Sequence, residues 1–221
     1  MKKITHTLML LMVSLTVGLG QGFVTTWKTD NAGSSASNQI TIPTFGTGYN
    51  YDINWGDGNS DSNVTGNITH TYSSAGTYTV TIIGDFPTIR FANAGDKAKI
   101  LTIEQWGDIA WTSMQHAFAG CVNLNITASD APNLANVTNL SFMFNNCSSL
   151  NADLNNWDVS SVTTMNSMFL DAPVFNGDIT SWDVGEVTDM FNAFRSASAF
   201  NQNIGNWNVG NVTNMKYMFY L

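Results

Sequence analysis

The chain has 221 residues, of which 43% are hydrophobic and 11% are charged, so it can bury the core of one large or two small domains. Its 16 acidic residues outnumber its eight Lys and Arg and leave a formal net charge of -8. Because nucleic-acid binding needs clustered Lys and Arg, this balance excludes a nucleic-acid partner. An acidic surface that is rich in Asn, Ser and Thr suits an extracellular protein.

The segment 1–22 has the pattern of a secretory signal peptide. Lys2 and Lys3 precede the apolar run LMLLMVSLTVGLG, and Gly18, Gly20 and Gly22 are the small residues that a signal peptidase prefers. A membrane anchor is the alternative, but the run is shorter than the ~20 residues that span a bilayer. We therefore expect a secreted or cell-surface protein that has no transmembrane segment once residues 1–22 are removed.

Residues 23–91 alternate apolar and polar side chains with a period of two, which is typical of half-buried strands. The alternation is clearest in YNYDINW and GTYTVTIIG, and FVTTWKT and NQITIPT show it more briefly. The pair Asp57-Gly58 is a hairpin signal because a type I′ turn needs positive φ at both central residues. The pattern predicts a small antiparallel β-sandwich.

Three phrases of this segment resemble the PKD-type immunoglobulin-like domain: WGDG from residue 55, HTY from residue 70 and AGTYTVTI from residue 75. The resemblance implies a spacer or a binding platform on an extracellular protein. Asp52, Asp57 and Asp61 raise the alternative of a calcium site, but acidic turn residues are more often solvated, and we expect no metal. We expect His70 to bond locally rather than to catalyse.

A thirteen-residue phrase recurs at a fixed interval, as WDVSSVTTMNSMF from Trp157, WDVGEVTDMFNAF from Trp182 and WNVGNVTNMKYMF from Trp207. A fixed interval predicts stacked units that bury one another's faces. Backward alignment adds two degenerate copies, which begin at residues 106 and 132. We take 92–105 as a connector or N-terminal cap and 106–221 as four repeats plus a partial fifth. The incomplete fifth repeat has no polar cap, and we expect a fragment of a longer protein.

Each repeat combines two periodicities. Ile179, Trp182, Val184 and Val187 have the spacing of a leucine-rich repeat, with Trp182 and Val184 pointing inward from a short strand. Val187, Met190 and Phe194 then fall on one face of a short helix. The sequence predicts a mixed fold class: the sandwich is followed by an α/β leucine-rich-repeat solenoid in which each repeat forms one coil.

The repeat phrases resemble the BspA-like leucine-rich-repeat surface proteins of bacteria. The likeness rests on W-[DN]-V-x-x-V-T-x-M-x-x-[MA]-F with F-N-x-[DN]-I, and on FAGCVNL and FNNCSSL, which are similar to a Cys-bearing variant of that repeat. It covers about half of the chain and implies extracellular display, with adhesion to proteins or cells as the role of some members.

Cys121 and Cys147 occupy the same position of adjacent repeats, so they are expected to lie side by side. One alternative is a pair of free thiols that serve as small core residues. The other is a disulfide, which requires a suitable Cα separation. Both stay open at the level of sequence.

Two polar rows are the candidate binding residues, because their side chains alternate with the inward ones. The first row is Asn133, Asp158, Asp183 and Asn208, and the second row is Asp153, Asp178 and Asn203. Stacked carboxylates repel one another, and a cation or a basic partner would relieve this. The alternative is a solvated face whose side chains satisfy turn backbone groups.

Catalytic motifs such as H-E-x-x-H, G-x-S-x-G and the P-loop are absent from the sequence, so we expect neither an enzyme nor a cofactor. The sequence favours adhesion, or protein or glycan binding, through the exposed face of the repeats. A structural spacer without a specific ligand and an ancillary domain of a secreted hydrolase are the alternatives.

Overall fold

The computed structural model describes residues 21–221, so the predicted signal peptide lies outside it except for its last two residues. These residues form strands, turns and irregular segments, and no helix occurs among them. The strands are β1 (Phe23–Lys28), β2 (Gln39–Ile42), β3 (Asn50–Asn54), β4 (Ser60–Val64), β5 (Ile68–Thr71), β6 (Thr77–Asp85), β7 (Ile100–Gln105) and β8 (Asn125–Ile126).

Six strands form one mixed sheet in the order β4-β3-β6-β1-β7-β8. All neighbours are antiparallel except β7 and β8, which run parallel. The period-two alternation explains the central strands, since Trp27, Ile53 and Val80 are buried while the residues between them are more exposed. The turn at Asp57-Gly58 joins β3 to β4, as the hairpin signal predicts.

The remaining pair, β2 and β5, forms a separate two-stranded sheet. A fully buried ion pair helps to hold β2 in place. The Lys99 Nζ atom lies 3.8 Å from an Asp96 carboxylate oxygen and donates hydrogen bonds to the carbonyls of Ala36 and Gln39. Asp96 in turn accepts from the backbone N–H of Thr41. Both buried charges are therefore fully paired, as burial requires.

The repeats, which follow most of the sheet in the chain, pack on one another in register. Isolated parallel bridges join Asn139 to Thr164, Thr164 to Asp189 and Asp189 to Asn214. The indoles of Trp157, Trp182 and Trp207 stack with centroids 6.4 Å apart. A second stack, with centroids 5.4 to 5.7 Å apart, contains Phe144, Phe169, Phe194 and Phe219. One continuous apolar core links these rings, apart from the exposed Phe219, to the sheet.

Backbone hydrogen bonds between repeats follow one rule. The N–H groups of alternate residues in the turn segment donate to carbonyls in the turn segment of the following repeat. In the third repeat the donors Met165, Ser167 and Phe169 bond the carbonyls of Asp189, Phe191 and Ala193 at 2.8 to 2.9 Å. Repeats two and four do the same. Neighbouring repeats, and not local turns of helix, satisfy these groups.

The predicted α/β leucine-rich-repeat solenoid is therefore wrong. Residues 187–194 form turns and a bridge where a helix was expected, and 182–184 form no strand. Positive φ values at Ser167, Asn192 and Ser196 prevent a right-handed helix, and the N–H groups that a helix would use internally bond the next repeat. The spacing of apolar residues marks the inward face correctly but fits a non-helical backbone equally well.

The resemblance to a PKD-type sandwich is overturned as well. The segments expected to form strands do so, but the main sheet is mixed and extends beyond residue 91. It includes β7, from the predicted connector, which pairs with β1, and β8, from the first repeat. β8 pairs in parallel with β7, with Thr102 opposite Asn125 and Ile103 opposite Ile126. Alternation within single strands does not reveal such pairings.

Candidate functional site

The first polar row lies on the surface, with one side chain in each of the second to fifth repeats. Asn133, Asp158, Asp183 and Asn208 are all exposed, and each is flanked by a buried residue on at least one side. The second row is similar, with Asp153 and Asn203 exposed and Asp178 half-exposed. The structure thus presents both predicted rows to solvent.

Every side chain of the two rows closes an Asx turn, in which one side-chain oxygen accepts from the backbone N–H two residues further on. In the first row Asp158 accepts from Ser160 at 3.1 Å and Asp183 from Gly185 at 3.0 Å. In the second row Asp178 accepts from Thr180 at 2.9 Å. The remaining members, Asn133, Asn208, Asp153 and Asn203, do the same.

These hydrogen bonds favour the ionised carboxylates. The Ser160 hydroxyl, at 2.6 Å, and the Ser160 N–H together hold the pKa of Asp158 below its ordinary value. The backbone and side chain of Thr180 do the same to the pKa of Asp178. Both carboxylates are charged at neutral pH. The bonds use Oδ1, and the Oδ2 atom of Asp158 has no partner within residues 21–221. That oxygen can accept from a basic side chain or a sugar hydroxyl.

The three aspartates weighed for calcium do not converge. Asp52 accepts from the Asn63 N–H at 2.9 Å, Asp57 lies 2.9 Å from the Nε2 atom of His70, and Asp61 accepts from the Trp55 indole at 2.7 Å. His70 also stacks on Trp55, with ring centroids 4.7 Å apart. Within residues 21–221 no group of three His, Cys, Asp or Glu side chains is arranged to hold a metal ion. These side chains make local contacts instead.

A cavity of about 650 Å³ lies beside β3 and β6 and is lined by Asp52, Asp85 and Asp108. Asp108 accepts from the Gln21 N–H at 2.7 Å and thereby ties the start of β1 to the first repeat. All three carboxylates are exposed. The cavity is acidic and open, and it presents no buried polar group that would orient a substrate.

Cys121 and Cys147 are free and fully buried. The Cys147 thiol donates to the carbonyl of Phe118 at 3.2 Å. Burial raises the pKa of both thiols well above the ordinary value, which keeps them protonated and unreactive. In this structure the pair is part of the core.

Sequence reasoning missed a ladder of asparagines that links the repeats. The Oδ1 atom of Asn125 accepts from the Asn151 N–H, that of Asn151 from the Asn176 N–H, and that of Asn176 from the Asn201 N–H, at 2.8 to 3.1 Å. The signal was the Asn of the recurring F-N-x-[DN]-I phrase. Because each side chain bonds the next repeat, this row fixes register and is not a free binding surface.

Comparison with known proteins gives one family match. Residues 112–221, just under half of the chain, are similar to a family described as Mycoplasma protein of unknown function, DUF285. This match and the absence of helix from the described residues replace the BspA-like leucine-rich-repeat interpretation. No curated protein and no solved structure is significantly similar to the chain. Residues 21–221 contain no apolar helix of the length needed to cross a bilayer.

Proposed function

We propose that the protein is secreted or displayed at the cell surface and mediates adhesion by binding an extracellular protein or glycan through its stacked repeats. The supporting observation is the first polar row, which presents one exposed Asn or Asp side chain in each of the second to fifth repeats in a fixed register. A row of this kind can make several weak contacts to one extended partner at once. Such contacts reinforce one another by raising the effective concentration.

Electrostatics defines the kind of partner. Asp158 and Asp183 occupy the middle of the row, the pKa of Asp158 is lowered by its bonds to Ser160, and the chain carries a net charge of -8. A partner segment with Lys or Arg at matching intervals gains attraction from each repeat, and a glycan gains hydrogen bonds to the carboxylates. Secretion is supported by the signal-like pattern of residues 1–22, which lies mostly outside the described residues.

A structural spacer is the second candidate, and one observation favours it. Every side chain of both rows already uses one oxygen to close its own turn, so the rows have a structural role whether or not they bind a ligand. Under this alternative the in-register core serves only to keep the array stiff.

Binding to a panel of extracellular-matrix proteins and to a glycan array separates the two candidates. The test variant is the double substitution Asp158→Lys and Asp183→Lys, which reverses the charge at the centre of the row. We expect it to abolish binding that the unmodified chain shows. Unchanged binding by this variant, or no binding by the unmodified chain to any member of the panel, contradicts the proposal.

The chain itself offers the matched control. Asn stands at the same position in the second and fifth repeats, where it closes the same turn. The double variant Asp158→Asn and Asp183→Asn therefore keeps the turn and the fold and removes only the charge. Its circular dichroism spectrum is expected to match that of the unmodified chain, and its affinity to lie between those of the unmodified chain and the Lys variant.

A further inference from the structure

The loop between β2 and β3 presents an aromatic ring to solvent and holds it in place. Phe45 is 59% exposed. Its backbone N–H donates to the Tyr49 hydroxyl at 2.8 Å, and its carbonyl accepts from the Thr88 hydroxyl at 3.0 Å. One residue earlier, the N–H and the hydroxyl of Thr44 donate to the Asn67 side chain at 2.6 and 2.7 Å. The backbone that carries the exposed ring is therefore tied down on both sides.

The guanidinium of Arg90 lies over this ring, with its Cζ atom 3.9 Å from the ring centroid of Phe45. Although the chain has 16 acidic residues, Arg90 forms no ion pair with any carboxylate of residues 21–221. Its Nε atom is buried and has no hydrogen-bond partner in that part of the chain, whereas its two Nη atoms reach the surface. A guanidinium is a planar fork of N–H donors, and donors without acceptors cost free energy. An anion at the Nη edge would remove part of this cost.

A second polar ring, that of His116 in the first repeat, lies close to Arg90. The N–H of Ala92 donates to the His116 carbonyl at 3.2 Å, which holds the first repeat against the segment that contains Arg90. The imidazole packs flat on the ring of Phe142, with centroids 4.6 Å apart. Burial, and then the nearby charge of Arg90, lower the pKa of His116, so the imidazole is neutral at pH 7. A neutral imidazole offers one N–H donor and one acceptor.

We infer that Phe45, Arg90 and His116 form a binding site for an acidic sugar, namely a hexuronic acid residue of a glycan. The Nη edge of Arg90 donates two parallel hydrogen bonds to the carboxylate of the sugar. In a hexuronic acid the carboxylate is attached directly to the pyranose ring, so this pairing brings C–H groups of the sugar against the exposed part of Phe45. The electron-rich face of an aromatic ring favours such contacts. His116 supplies a hydrogen bond to a sugar hydroxyl.

Charge and shape limit the ligand to a singly charged ring. The net charge of -8 repels nucleic acids and densely sulfated chains, whereas a single carboxylate can pair with the single guanidinium of Arg90. The side chain of an acidic peptide could also reach Arg90, but its methylene stem brings no ring against Phe45. The fixed and exposed aromatic ring therefore favours a sugar over a peptide.

NMR titration of the isotopically labelled chain with two matched probes tests this site. Methyl glucuronide and methyl glucoside differ only in that a carboxylate in the first replaces a hydroxymethyl group in the second. The glucuronide is expected to shift the Nε–Hε signal of Arg90 and the ring signals of Phe45, with an affinity about tenfold or more above that of the glucoside. The inference is overturned if the glucuronide leaves these signals unchanged, or if the two probes bind equally.

Variants of the chain make the test specific. Arg90→Gln removes the charge, Phe45→Ser removes the exposed ring, and each is expected to weaken glucuronide binding by about tenfold or more. Arg195→Gln is the matched control, since Arg195 also lies over an aromatic ring, that of Tyr220, with its Cζ atom 5.3 Å from the centroid. The control is expected to bind as the unmodified chain does. Unchanged binding by the Phe45 variant or by a folded Arg90 variant, or equal weakening by the control, overturns the inference.

Two further measurements separate this inference from its alternatives. N-acetylglutamate N-methylamide carries the carboxylate of a peptide side chain without a ring, and binding as tight as that of the glucuronide would overturn the assignment to a sugar. The double variant Asp158→Lys and Asp183→Lys is expected to bind the glucuronide as the unmodified chain does, because these residues lie in the third and fourth repeats. Failure of this site and failure of the proposed adhesion through the polar row can therefore be recognised separately.

Discussion

Gly177 lies at a point where two repeats approach too closely for any side chain. A Cβ atom at this residue would overlap the backbone carbonyl oxygen of Ala152, and a backbone atom cannot rotate away as the end of a side chain can. The constraint comes from contact between repeats, since the φ of Gly177 is not in the left-handed region.

Gly177→Ala is expected to lower the free energy of unfolding by about 1 to 3 kcal/mol, because the second and third repeats must move apart locally. Urea unfolding followed by tryptophan fluorescence measures the loss. Gly185→Ser is the matched control, since Ser160 stands at the equivalent position of the preceding repeat and bonds Asp158 there. Equal stabilities of the two variants would show that the close approach is not a constraint.

Asp57 links the β3–β4 hairpin to β5 through His70. Burial alone would raise its pKa, but hydrogen bonds from His70 and Asn59 outweigh this and lower the pKa from 3.8 to about 2. A carboxylate whose pKa is lower in the folded state stabilises the fold above its unfolded pKa. This contribution is lost as the pH falls from about 4 toward 2.

Asp57→Asn is expected to lower the free energy of unfolding at pH 6. The variant should also lose less stability than the unmodified chain between pH 4 and pH 2. The difference in free energy of unfolding between the unmodified chain and the variant, measured by urea unfolding across this range, should decrease as the pH falls. The exposure of Asp57 keeps the effect small. A difference that is constant with pH would mean that the bond to His70 does not depend on the charge of the carboxylate.

At the scale of the element, the contacts of the tryptophan row lead us to expect that a repeat is stable only beside others. Trp182 stacks between Trp157 and Trp207, and its Nε1 atom donates to the Leu154 carbonyl of the second repeat at 2.8 Å. Trp207 has a tryptophan on one side only, and its own Nε1 bond to Ile179 is longer, at 3.3 Å.

Trp182→Ala is therefore expected to lower the free energy of unfolding by about 3 to 5 kcal/mol, which is typical of removing a fully buried indole. Trp207→Ala should cost clearly less, since it removes fewer contacts. Urea unfolding of the two variants, followed by far-ultraviolet circular dichroism, gives the comparison. If both substitutions had the same cost, the stability of the array would not depend on neighbours on both sides.

The repeat also shows which structural features the sequence could predict and which it could not. The fixed repeat interval places Trp157, Trp182 and Trp207 correctly in the interior, because repeats of similar sequence adopt the same local structure and bury the same positions. The helix at Val187–Phe194 was wrong because apolar spacing records only which face is buried. The partner of each N–H group lies in the next repeat, and neither propensity nor periodicity encodes that pairing.

The candidate site, too, was only partly predictable from the sequence. Exposure of the row through Asp158 and Asp183 follows from its alternation with Trp and Val, so sequence could predict it. The Asx turns appeared only as an alternative, since Asn and Asp close such turns and also line binding surfaces. The ladder of Asn151 and Asn176 was missed, because its hydrogen bonds cross from one repeat to the next.

At the scale of the whole molecule, one core and one system of aligned hydrogen bonds run from the mixed sheet to the fifth repeat. Residues 91–93, in the segment between β6 and β7, donate to carbonyls of the first repeat and so cover that end of the array. The acidic polar rows lie along the side. The proposed adhesion would therefore use the side of the array.

The most direct test of this account is NMR detection of scalar couplings across hydrogen bonds in the third repeat. The account predicts couplings from the amide nitrogens of Met165, Ser167 and Phe169 to the carbonyl carbons of Asp189, Phe191 and Ala193. Couplings from Phe169 to the carbonyl of Met165, the partner that an α-helix would give it, would contradict it.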